Sequence, residues 1–158
     1  MIVIEIKGEN GYLKIQIQKM FGFPESTSPF GGYDTESIIE IKSSNYYIKG
    51  LIWITTGDLY SFYKELKNCQ EKVKGQANLN SYENNLRSTI TYDEIGHAVL
   101  RGKFTEKYEE ENTLEFELKS DQSFLNSTIS ELETMIEKYG DNAGIKNYCH
   151  PTFFGLGE

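Results

Sequence analysis

Ile2, Ile4 and Ile6 alternate with Val3, Glu5 and Lys7, and beyond Gly8-Glu9-Asn10-Gly11 the alternation resumes as Leu13, Ile15 and Ile17 among lysine and glutamine. A two-residue period with one apolar set belongs to strands that bury a single face, and turn residues between two such runs predict a β-hairpin. From Phe21 to Tyr33 the period is lost. Two prolines, three glycines and Ser26-Thr27-Ser28 make this a loop, long for a compact domain and of the kind that is often functional when ordered. A second hairpin follows, with Ile38 to Lys42, a Ser43-Ser44-Asn45 turn, and Tyr46 to Ile54. Its second strand is apolar on both faces over Leu51-Ile52-Trp53-Ile54, which predicts burial on both sides near the middle of a sheet.

The pattern then turns helical. Thr55 or Thr56 can cap a helix, and Asp58 in its first turn complements the helix dipole. Leu59, Phe62, Tyr63, Leu66 and Val73 form one stripe before Gly75 provides the stop. Strand patterns return at Gln76 to Glu83, Leu86 to Tyr92, Gly96 to Tyr108 and Thr113 to Lys119, with Glu109-Glu110-Glu111-Asn112 as the turn between the last two. If Phe104 lies opposite Leu114, the register sets Arg101 across from Glu117 and Lys103 across from Glu115 on the solvent face. Ser120 or Asp121 can cap a last helix whose Leu125, Ile129, Leu132, Ile136 and Tyr139 face the core before Gly140 ends it.

The order is four strands, helix, four strands, helix. It predicts an α+β fold in which about eight mainly antiparallel strands, in two meanders, form one strongly bent sheet or half-barrel with the 56–74 and 121–139 helices packed on it. Most strand connections are too short for parallel crossovers. The two meanders are alike in make-up, but the helices share no sequence period, so no repeat is inferred. Residues 1–140 are expected to form a single globular domain and 141–158 a C-terminal tail. Ile145, Tyr148, Phe153 and Phe154 would be costly to expose together, so the tail is expected to dock on the body or on a partner, a second copy included.

Composition narrows the class. The chain has 158 residues, 38% hydrophobic and 25% charged, which suits one domain with a real core and excludes fibrous and disordered chains. The longest mainly apolar stretch, Tyr46 to Ile54, is interrupted by Lys49 and is far shorter than the roughly 20 residues of a membrane-spanning helix. The opening Met-Ile-Val-Ile-Glu-Ile-Lys reads as a strand rather than a leader, so a cytoplasmic address is expected. Cys69 and Cys149 are expected to be free thiols. A net charge of −8 disfavours nucleic acid as a direct partner, since phosphate contacts need clustered Lys and Arg. The excess is uneven: residues 82–121 carry ten acidic groups against five basic ones, and an acidic face attracts a basic partner.

Catalytic chemistry finds little footing. His97 and His150 are the two neutral-pH bases, and His97, directly after Gly96, reads as an ordinary strand histidine. Cys149-His150-Pro151 is at most half of a metal site, because zinc needs three or four ligands. The chain has no phosphate loop, dinucleotide fingerprint or nucleophile elbow. Carboxylates such as Asp93 and Glu83 could do acid–base work only if they shared a cleft. No catalytic residue, metal or cofactor is therefore expected. Eleven tyrosines and nine phenylalanines could line a cavity in a curved antiparallel sheet, which makes a small-ligand-binding module the alternative function, although most sit at positions assigned to the core.

Several segments carry a family resemblance. Trp53-Ile54-Thr55-Thr56-Gly57-Asp58-Leu59-Tyr60-Ser61-Phe62-Tyr63-Lys64-Glu65-Leu66 is followed in order by Gly75-Gln76-Ala77-Asn78-Leu79, Tyr82-Glu83, Gly96-His97, Gly102, Asn112-Thr113-Leu114-Glu115-Phe116 and Ser120-Asp121-Gln122-Ser123. This ordered set, from about Gly8 to Tyr139, resembles the WapI-type immunity proteins. Gly57 stands where relatives usually have a larger residue. The resemblance implies an antitoxin: a small cytoplasmic protein made beside a secreted polymorphic toxin, whose C-terminal domain, often a nuclease, it binds and blocks without catalysis. Such a partner is expected to be basic. Asp93, Glu94, Glu109, Glu110 and Glu111 are the candidate partner-binding residues, because they are the members of the acidic segment with the least expected internal pairing. The Phe21 to Tyr33 loop is the next candidate.

Overall fold

The computed structural model describes residues 1–146. Tyr148, Cys149, His150, Phe153 and Phe154, and the expectations that rest on them, lie outside the described residues. The elements run β1 (Val3–Gly8), β2 (Gly11–Met20), β3 (Asp34–Ser43), β4 (Tyr46–Thr55), α1 (Thr56–Lys72), β5 (Gly75–Asn80), β6 (Leu86–Tyr92), β7 (His97–Phe104), β8 (Leu114–Asp121) and α2 (Gln122–Tyr139). Each meander is a four-stranded sheet in sequence order, β1-β2-β3-β4 and β5-β6-β7-β8, with every neighbouring pair antiparallel. The two meanders are thus separate four-stranded sheets in an α+β fold, and neither closes into a barrel.

Alternation decides which face is inside. Ile4, Ile6, Leu13, Ile15, Ile39, Ile41, Ile52 and Ile54 cover the inner face of the first sheet, each at most 1% exposed. Leu79, Leu86, Ile90, Leu100 and Leu118 do the same for the second, and Leu59, Phe62 and Leu66 of α1 with Leu125, Leu132 and Met135 of α2 complete one core cluster. Burying each such side chain contributes roughly 1.5–3 kcal/mol. The inward aromatics Phe62, Tyr92, Phe104 and Phe116 belong to this cluster.

The helices cross over. α1 leaves the first sheet and packs chiefly on β5, the edge of the second, whereas α2 leaves the second and packs on β1, the edge of the first. Both starts are capped by their own side chains. Thr55 Oγ1 accepts from Asp58 N at 2.9 Å while Asp58 Oδ2 accepts from Thr55 N at 3.0 Å, and Asp121 Oδ1 accepts from Phe124 N at 2.9 Å.

Three sequence expectations need correction. β4 is an edge strand, not a central one: Ile52 and Ile54 are buried, but Leu51 is 39% exposed and Trp53 is covered in part by Phe21 from the neighbouring loop. Val73 is the C-cap of α1 in the left-handed region at φ 52°, so the helix stops before Gly75 does its work. The aromatic excess is also not mostly core, because among the described tyrosines and phenylalanines only Tyr33, Phe62, Tyr92, Phe104 and Phe116 are buried, whereas Phe21, Phe30, Tyr46, Tyr47 and Tyr108 are exposed. The β7–β8 register does follow expectation, with Phe104 opposite Leu114, Arg101 opposite Glu117 and Lys103 opposite Glu115.

Candidate partner-binding surface

Several exposed aromatics converge beside β4. Phe21, at the start of the long loop, stacks on Trp53 with ring centroids 5.9 Å apart. Phe30, near the end of the same loop, stacks on Tyr82 of the β5–β6 turn at 4.5 Å. The Tyr108 hydroxyl donates to the Glu83 carbonyl at 2.9 Å, which brings the β7–β8 loop onto that turn. A depression of about 160 Å³ joins these pieces, lined by Leu51, Trp53, Glu83, Asn85, Glu106 and Lys107.

Local chemistry holds the loops that carry this face. The 21–33 loop is closed by Ser28 N to Gly32 O at 2.7 Å and anchored to α1 by Tyr33 N to Thr56 Oγ1 at 2.9 Å. Gly57 is explained here: a Cβ on it would lie 2.5 Å from the Gly31 carbonyl, so the loop backbone rests directly on the first turn of α1. At the described start of the tail Gly32 N donates to Asn142 O at 2.6 Å and Lys146 Nζ lies 5.6 Å from the centre of the Phe23 ring, but Ile145, expected to be covered, is 58% exposed. Asp58 joins helix and turn by also accepting from Tyr82 N at 3.2 Å. Burial raises the Asp58 carboxyl above its ordinary range, against the lowering effect of its hydrogen bonds from Thr55 and Tyr82. On the outer face of the first sheet Tyr47 donates to Glu40 at 2.6 Å, and this bond pushes the phenol up to about 12.

The five acidic candidates fall into two places. Asp93 and Glu94 sit in the β6–β7 turn and Glu109, Glu110 and Glu111 in the β7–β8 loop, so the eight residues of β7 put about 25 Å between the groups. They do not form one patch. Asp93 is moreover occupied, since its Oδ1 accepts from Ile95 N and His97 N at 3.0 Å and its Oδ2 lies 3.4 Å from His97 Nδ1. This corrects the expectation that the loop carboxylates lack internal partners, as does Glu110, which is 3.9 Å from Lys107 Nζ and accepts from Asn112. Glu111 instead borders a groove of about 410 Å³ with Ile48, Gly50, Phe104, Glu106 and Leu114.

Sequence reasoning misses Glu106, because the seventh strand pattern extends to Tyr108 whereas β7 ends at Phe104. Its Oε2 accepts from the edge amide of Leu51 at 2.6 Å. The approach depends on Gly50, where a Cβ would lie 2.8 Å from that oxygen. Glu106, Glu109, Glu110 and Glu111 thus gather next to the aromatic face.

A surface of stacked aromatics bordered by Glu83 and Glu106 has the composition of a protein-recognition surface. The family model for immunity protein WapI-like proteins matches residues 2–140. The chain belongs to the immunity protein WapI-like family. The match takes in both sheets and both helices, and so every part of the face described above. No curated protein is similar enough to the chain to count as a match. Among the described residues, no helix of this family member is long and apolar enough to cross a membrane.

Proposed function

We propose that the chain neutralises a cognate toxin by binding a toxin domain stoichiometrically and without catalysis, in the cytoplasm of the producing cell. Membership of an immunity family supplies the class of partner. The observation that carries the reading to a surface is the contiguous face of Phe21, Trp53, Leu51, Tyr82, Phe30 and Tyr108, bordered by Glu83, Glu106 and the 109–111 run. Aromatic anchors in a partly covered centre with charge at the rim are what supplies affinity and capture rate, respectively, in protein–protein recognition. The acidic rim calls for a basic partner, and a nuclease domain, which must itself bind phosphates, fits that description.

Of the sequence candidates, Glu109, Glu110 and Glu111 belong to this proposed interface. Asp93 and Glu94, at the other end of the second sheet, are left outside it. Co-expression with the toxin domain encoded beside the chain tests the reading: a one-to-one complex and survival of the host are expected. Protection from the toxin without any complex would refute stoichiometric binding.

A further inference from the structure

The four outer edges of the two sheets are finished differently. At β1, the Glu5 amide donates to Glu131 at 2.8 Å and its carbonyl accepts from Thr128 at 2.7 Å, both from α2. At β5, the Asn78 amide donates to Glu65 of α1 at 2.8 Å. At β8, the Glu117 and Lys119 carbonyls accept from Ser43 Oγ and Glu9 N, each at 2.8 Å. β4 is ten residues long, and α1 leaves from its end instead of lying along it. In an antiparallel ladder alternate residues point their amide and carbonyl away from the neighbouring strand. Leu51 does so, since its amide meets Glu106, and Tyr47 and Lys49 therefore do so as well; their outward groups have no partner among the described residues.

A trough follows this edge. Three depressions of about 430, 410 and 160 Å³ border it in turn, at Tyr46, at Ile48 to Gly50, and at Leu51 and Trp53. Leu114 and Phe116 give the far wall an apolar base, and Glu83, Glu106, Glu111, Glu115 and Glu117, the last of them 3.6 Å from Arg101, outnumber Lys49, Lys107 and Lys119 around the trough. Glycine within a strand marks close approach of another group. At Gly50 that group is now the Glu106 carboxylate, which supplies a backbone-like acceptor to the Leu51 amide, as Asp58 does to Thr55 at the strand's end.

We propose that β4 receives an extended, basic segment of the toxin domain as an added strand, its main chain pairing with Tyr47, Lys49 and Leu51 and its Lys or Arg side chains meeting the glutamates of the far wall. The inference rests on the toxin-binding reading above and deepens it. Strand addition draws affinity from main-chain hydrogen bonds and selectivity from alternate side chains. Glu106 leaves the Leu51 amide as the segment enters and becomes a partner for one of its cations.

Hydrogen–deuterium exchange on the full chain, free and in complex with the toxin domain encoded beside it, tests this directly. Expected is slowing of the Tyr47 and Lys49 amides by about tenfold or more on complex formation. Lys49→Pro removes one outward donor at a position where an edge strand tolerates proline, and should weaken binding about tenfold, with Lys49→Ala close to wild type. Tyr47→Pro provides a second variant should Lys49→Pro fail to fold. A one-to-one complex in which the β4 amides exchange as in the free chain overturns strand addition while leaving toxin binding intact, and so does equal weakening by Lys49→Ala and Lys49→Pro. Absence of any complex removes the toxin-binding reading and this inference with it. Self-association of the free chain with the same amides protected would make a second copy the occupant and overturn the proposal.

Discussion

β1 and β4 bound the same sheet, but one is covered by a helix, whereas along the other, among the described residues, the Leu51 amide meets a loop carboxylate, Glu106, and the terminal Thr55 amide meets Asp58. At β1 the covering groups, Thr128 and Glu131, stand on a helix whose Leu125, Leu132 and Met135 are buried in the core. At β4, Glu106 is exposed and stands on the β7–β8 loop. Edge strands are hazards that proteins cover when they have no use for them. The difference separates an edge that belongs to stability from one available to a partner.

The largest effect should come from loosening the covered edge. Leu132→Ala removes a side chain with no exposure beneath α2 and should cost about 2–5 kcal/mol in urea denaturation. Leu51→Ala, on the 39% exposed outer side of β4, should stay within about 1 kcal/mol. Comparable losses at the two sites would mean that β4 is as structurally committed as β1. Thr128→Val tests the hydrogen bond alone. Its hydroxyl is buried and serves the Glu5 carbonyl, so its loss should cost about 1–2 kcal/mol in the same measurement.

Reversal of charge asks which end of the second sheet meets the partner. Glu109, Glu110 and Glu111 changed together to lysine should slow toxin capture roughly tenfold at low ionic strength, with the deficit shrinking as salt screens it. Stopped-flow association across a salt series checks this. Glu94→Lys, in the opposite turn, should alter the rate less than about twofold. A larger effect from Glu94 would move the interface to the β6–β7 end.

Much of this architecture is legible in the sequence because it is local. Alternation sets the strands, Thr55 and Asp121 start the helices, and a short connection fixes the β7–β8 register down to Arg101 opposite Glu117. β4 is misread for a physical reason. Leu51-Ile52-Trp53-Ile54 has the composition of a doubly buried strand, but on the outer face Leu51 is exposed and Trp53 is stacked by Phe21, which belongs to a segment with no period at all. The candidate surface fares similarly. A run such as Glu109-Glu110-Glu111 can be seen as charge, whereas the meeting of Phe30 with Tyr82 depends on a loop resting on Gly57 and on Asp58 reaching the Tyr82 amide. Asp93 is misjudged because an aspartate that shapes its own turn has the same letter as one that waits for a partner.

Acidity offers a gentler probe of the covered edge. Burial raises the Glu131 carboxyl above its ordinary value of 4.5, outweighing the hydrogen bond it accepts from the Glu5 amide. An acid whose folded value is raised binds its proton more tightly in the native state, so its contribution to stability is complete below 4.5 and is lost as pH rises through the folded value. Urea denaturation followed from neutral pH down to pH 4.5 should therefore show a stabilising component that Glu131→Gln removes. Asp58, raised by burial in the same way, should give a second component with the same sign, beginning from its ordinary value of 3.8. Persistence of the full slope in Glu131→Gln and in Asp58→Asn would place the titration elsewhere.

The smallest expected change is at Glu106, and there a small change is the informative result. Its hydrogen bond to the Leu51 amide is short at 2.6 Å but lies at the exposed rim of β4. Water can replace the acceptor when the carboxylate is removed, so Glu106→Ala should shift stability by no more than about 0.5 kcal/mol. Glu131→Ala differs, because the amide it leaves is beneath a packed helix and the loss should approach about 1–2 kcal/mol. The same Glu106→Ala change should speed exchange of the Leu51 amide in the free chain, as the one group that shields it is gone. In the toxin complex, an incoming strand would shield that amide in its place, and exchange there should be as slow in the variant as in wild type. A Leu51 amide still fast in the variant's complex would show that Glu106 itself, rather than a partner's main chain, finishes this edge in the bound state.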